Sequence, residues 1–104
     1  METALEKLNA RVFAEHVRSK FSTQLGTAKI ELELFSVDEL DVSPRLECFS
    51  LLFHGPVSPR LAQQIYSVEH DKLGSFPLFL TAIAGDAEGI SYEAVFNRYR
   101  KTNT

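Results

Sequence analysis

The sequence is poor in the residues that carry most recognisable chemistry. Its 104 residues include no tryptophan, one methionine and one cysteine. A single cysteine excludes an intramolecular disulfide and supplies no metal-binding cysteine pair, which fits a reducing compartment. No apolar run approaches the roughly 18 residues that a membrane-spanning helix needs. The opening METALEKLNARVF has no cationic start followed by an apolar core, so it does not read as a secretory leader. Net charge is −3 with acids and bases interspersed, and no basic block suits a nucleic-acid backbone. The nearest approach to one, Arg98, Arg100 and Lys101, reads as a solvated tail. There is no glycine-rich phosphate loop, because Gly85 and Gly89 frame an acidic turn that would repel phosphate. Repeats, linkers and low-complexity tracts are also missing. These absences predict a soluble, cytoplasmic protein with no nucleic-acid or membrane partner and no cofactor or metal.

What is present is an ordinary globular balance, 44% hydrophobic and 24% charged, in a length that suits one domain over residues 1–104. The hydrophobic mass gathers in Cys48–Ile83. Ahead of it, Leu5, Leu8, Val12 and Phe13 recur at helical spacing and predict a surface helix over about 3–17. Thr3 and Glu6 are spaced as a capping box for it. A strand over 20–25, a tight Gly26-Thr27 turn and a strand over 28–37 follow. In the second strand Ile30, Leu32 and Leu34 alternate with charged residues, and Phe35 with Val37 breaks that alternation as a bulge would.

Asp38–Glu47 is acidic and contains Pro44, so it reads as a loop of about ten residues. Strand 48–54 then carries Phe49, Leu51 and Phe53 on one face, and Leu52 with the small Ser50 on the other. Ser58-Pro59 is placed to open one helical turn through Gln63. Strands over 64–70, 76–84 and 90–99 complete the chain, joined by turns at Asp71–Gly74 and Gly85–Gly89. The fold class is α+β, mainly β: one N-terminal helix on an antiparallel six-stranded meander or small barrel, with the helix across one opening.

The ordered set FSLLFHGP, QIYSVEH, LG, LFL and YEAVFN resembles a family of short bacterial domains of unknown function. The residues that carry the resemblance are Phe49, Ser50, Leu51, Phe53, Gly55 and Pro56, then Tyr66, Glu69 and His70, then Leu73 and Gly74, and finally Tyr92 to Asn97. It covers the C-terminal half well and the first half loosely. The resemblance implies a small β domain, sometimes associated with phage-tail-like or surface-fibre proteins. It brings no activity, cofactor or catalytic residue.

Four residues are candidates for chemistry: Cys48, Tyr66, Glu69 and His70. Cys48 and His54 share a strand face but stand about 20 Å apart at strand rise, too far for a dyad. If strand 49–54 paired antiparallel with 65–70, His70 would lie near Cys48, the one nucleophile–base arrangement available. Packing is the commoner role of such a cysteine. Glu69 and Asp71 face away from His70 on a strand, so these three do not make a metal site. The favoured role for Glu69-His70-Asp71 is to bond the N–H groups of the turn it enters and fix its register. Tyr66, Tyr92 and Tyr99 offer an aromatic surface for a partner, although padding the core is the more frequent use of such rings.

The function that follows is a non-enzymatic interaction or assembly module with a protein partner or self-association, contacted through an edge strand or the 38–47 segment. The alternative is a small ligand-binding protein or enzyme using His70 with Cys48 or Glu69.

Overall fold

The structure, a computed structural model, describes residues 7–99. It contains one short helix, α1 (Ala10–Ala14), and six strands: β1 (Lys20–Leu25), β2 (Ala28–Ser43), β3 (Leu46–Gly55), β4 (Gln64–His70), β5 (Gly74–Asp86) and β6 (Gly89–Tyr99). The strands close into a ring in the order β1-β2-β3-β6-β5-β4, with every pairing antiparallel. Of the two expected forms, the closed one is adopted. β1-β2-β3 and β4-β5-β6 are each a three-stranded meander. They meet twice, along β3/β6 and again at β1/β4, so β3 and β4 are not neighbours.

Strict alternation builds the core. Ile30, Leu32 and Leu34 of β2, Phe49, Leu51 and Phe53 of β3, and Tyr92 and Ala94 of β6 point inward and are buried. Phe76, Leu78 and Leu80 do the same from β5. Phe13 on α1 closes one mouth of the ring. It is fully buried, with ring centroids 5.8 to 6.5 Å from Phe21, Phe49, Phe76 and Phe96. Phe49 and Phe96 stack 4.5 Å apart at 9°.

Three expectations need correction. The helix covers only Ala10–Ala14, because Asn9 caps it by accepting the Val12 N–H at 2.9 Å. Leu8 then packs on the core from the segment ahead of the helix, and Leu5 with the Thr3–Glu6 box lies outside the described residues. Asp38–Glu47 is not a loop: β2 and β3 run through it, with Leu40 opposite Cys48 and Ser43 opposite Leu46, and only Pro44 and Arg45 turn the chain. Its acids misled because an outward strand position tolerates charge as readily as a loop does. No helical turn forms over 60–63. That connection is instead pinned by tyrosines: the Leu61 N–H donates to Tyr92 Oη at 2.9 Å, and Tyr66 Oη donates to the Ala62 carbonyl at 2.6 Å.

The bulge falls where expected, as a register shift between Leu34 and Ser36. Gly26 sits at φ 62° in the β1–β2 turn. The paired part of β2/β3/β6 reaches Ser43 and Tyr99, so these three strands project beyond the rest of the ring, and the molecule measures 47 × 29 × 23 Å.

Candidate functional site

His70 ends β4, where the inward alternation of Tyr66 and Val68 carries its ring to the interior. Its Nδ1 accepts the main-chain N–H groups of Lys72 and Leu73 at 3.1 and 3.2 Å. With Nδ1 an acceptor, the neutral ring carries its proton on Nε2, which donates to Ser19 Oγ at 2.9 Å. Ser19 Oγ donates in turn to the His16 carbonyl at 2.5 Å. The His70 ring packs against Phe21 with centroids 4.4 Å apart, and against His16 at 4.7 Å.

Burial, and then the neighbouring His16, hold the His70 pKa below the ordinary 6.5, against an opposite pull from Asp71. Protonating Nδ1 would also aim its new proton at two N–H donors. The expected turn-fixing role of the Glu69-His70-Asp71 cluster thus falls on His70. Gly74, at φ 85°, completes that turn.

The other candidates are not gathered around His70. Glu69 points outward on β4, opposite Ser22 of β1 and Ser75 of β5. Cys48 is half-buried on β3, whose neighbours are β2 and β6; the β3–β4 pairing needed to bring it to His70 does not occur. Tyr66 is buried, and desolvation pushes its phenol pKa above 10. His54 lies opposite Glu33 and Ser91.

Outside the His70 ring, a shallow cleft of about 690 Å³ follows the β1/β4 seam. Lys20, Lys29 and Lys72 line it together with Glu31, Glu69 and Asp71 and the His70 ring, so its formal charge is balanced. Among the described residues, no three His, Cys, Asp or Glu side chains come together as metal ligands.

Sequence reasoning missed Ser19, His16 and Phe21 as partners of His70. The signal for its inward position was present in the period-2 run Tyr66, Val68, His70. It also missed the outer face of β4-β5-β6. There Ile65, Phe79, Val95 and Tyr99 stand exposed at 67%, 49%, 60% and 82%. Ile65 and Phe79 are register partners, while the β5/β6 pairing ends at Thr81–Glu93, short of Phe79 and Val95. The detectable signal was large apolar residues on both faces of one strand, as in Leu78-Phe79-Leu80.

These features define a small, closed, antiparallel β domain in which the hydrogen bonds of the buried His70 are built into its framework. The chain belongs to the family described as a domain of unknown function, DUF6916, whose model matches residues 8–96. No curated protein and no solved structure matches it. Among the described residues no helix is long and apolar enough to cross a membrane.

Proposed function

We propose that this domain is a protein-interaction or assembly module that docks through the outer face of β4-β5-β6. The observation that supports the reading is the exposed apolar pair Ile65 and Phe79, register partners on β4 and β5, with Val95 and Tyr99 also exposed on β6. Single exposed apolar residues are commonplace, but large ones side by side on adjacent strands mark a contact surface. The tail-like or surface-fibre setting implied by the family resemblance suits such a face, since a repeated assembly uses one contact many times. The alternative of a small enzyme or ligand binder fares worse, because both His70 ring nitrogens are engaged within the fold and Cys48 lies on a strand that does not pair with β4.

The test is site-specific photo-crosslinking in the native host, with the crosslinker at Phe79 and, as control, at Glu88. A discrete adduct at Phe79 alone, weakened by Ile65→Ser, supports the module. Equal labelling at both positions, or none at either, overturns it.

A further inference from the structure

We propose that the open edge of β2 over Phe35–Leu40 takes an extended, basic segment of a partner protein as an added strand. The inference rests on the interaction-module reading and places a second contact on another part of the surface. β2 is 16 residues long, but β1 pairs with it only as far as Lys20–Glu33. Two further main-chain bonds, Arg18 N–H to the Leu34 carbonyl at 2.7 Å and Leu34 N–H to the Ser19 carbonyl at 3.2 Å, end the ladder. Arg18 then takes φ 78° and turns the chain away toward α1. Beyond Leu34, β2 keeps β3 on one side, and among the described residues no strand lies on the other. Alternate residues of 35–40 therefore direct N–H and C=O groups at an edge that no described strand pairs, beside α1, which packs against β2 and brings Arg11 into the small cleft that Glu39 lines; such an edge is the template that strand addition uses.

Side chains on the edge decide what fits it. Phe35 and Leu40 are more than half exposed and offer an apolar contact at each end. Between them Asp38 and Glu39 are exposed. A second copy pairing antiparallel along this edge would set acid against acid, and like charges directly opposite destabilise a ladder. The same acids that keep copies apart favour lysine or arginine on an incoming strand.

The test is amide hydrogen exchange and ¹⁵N chemical shifts of the full chain with two ten-residue probes, one alternating Lys and Val, the other alternating Glu and Val. In the free protein, alternate amides of Phe35–Leu40 exchange fast. The Lys/Val peptide slows them and shifts them at low salt, and the Glu/Val peptide leaves them unchanged. Asp38→Lys, an outward surface change that leaves the fold intact, weakens the Lys/Val peptide several-fold and admits the Glu/Val one. Edge amides already protected in the dilute free protein, equal response to both probes, or concentration-dependent protection without a probe would each overturn the proposal. Loss of crosslinking at Phe79 with an intact edge response separates a failure of the general docking face from a failure of this edge.

Discussion

His70 Nε2 and Ser19 Oγ lie 2.9 Å apart across 51 residues of sequence, tying the turn after β4 to the segment that leads from α1 into β1. This is where the ring is thinnest, since the β1/β4 ladder consists of the one pair Ser22–Glu69, against ten pairs from Leu46–Tyr99 to Gly55–Ile90 in β3/β6. Side chains supply what the ladder does not. Thr23 Oγ1 donates to the Ser67 carbonyl at 2.8 Å on the same seam, and His70 closes its other end.

Acidification is expected to loosen that seam. Unfolded, His70 titrates near 6.5; folded, it titrates lower, chiefly through burial. Between the two values the unfolded chain binds a proton that the native state does not, so stability falls as pH drops. The contribution is complete above pH 6.5 and is lost progressively as pH falls toward the folded pKa, below which no further loss follows. His70→Asn keeps an acceptor for the turn amides without the titration. Urea midpoints between pH 8 and pH 5 should give a shallower acid slope for this variant than for the wild type, and equal slopes would assign the effect elsewhere.

The β3–β4 connection is held from within the core. The Tyr92 ring is buried, and its hydroxyl accepts the Leu61 N–H. Tyr92→Phe leaves that buried donor without its acceptor, at a cost of about 1–3 kcal/mol. The urea midpoint should fall with an unchanged slope m, and the Leu61 amide should gain exchange more than its neighbours do.

Alternation made the strands and their inward faces legible: Ile30-Leu32-Leu34 and Ile90-Tyr92-Ala94-Phe96 read from sequence as they pack. Strand order was not legible, because nothing local says that β3 turns to β6 instead of β4. That choice is made by register partners about fifty residues apart, such as Cys48 and Asn97. The same non-local choice decided the candidate site, keeping Cys48 from His70 and bringing Ser19 to it. Asp38–Glu47 failed for a different reason: charge marks solvent contact, and both a loop and an outward strand position provide it.

Arg18 occupies a left-handed backbone position, φ 78°, opposite Leu34 at the end of the β1/β2 ladder. A side chain there costs roughly 1–2 kcal/mol, part of which glycine would lose again to its freer unfolded chain. Arg18→Gly is therefore expected to raise stability by up to about 1 kcal/mol, visible as a higher melting temperature. A lower one would mean that the arginine side chain contributes more than its backbone costs.

Two ion pairs should behave oppositely. Arg98 lies over the Phe49 and Phe96 rings, 5.7 and 5.4 Å from their centroids, bonds Glu47 at 2.8 Å and reaches the Leu8 carbonyl at 2.5 Å. It is partly buried, planar and engaged on several sides, which a lysine cannot reproduce. Arg98→Lys should cost about 1–2 kcal/mol and loosen the segment around Leu8. Lys20–Glu33, by contrast, is a 3.9 Å pair on exposed side chains. Its removal by Lys20→Met should change stability by less than about 0.5 kcal/mol. Raising the salt concentration separates the two further, since screening weakens an exposed pair and leaves a stacked, half-buried guanidinium largely in place. Denaturation of both variants at low and high salt is the measurement, and equal losses for the two would refute the distinction.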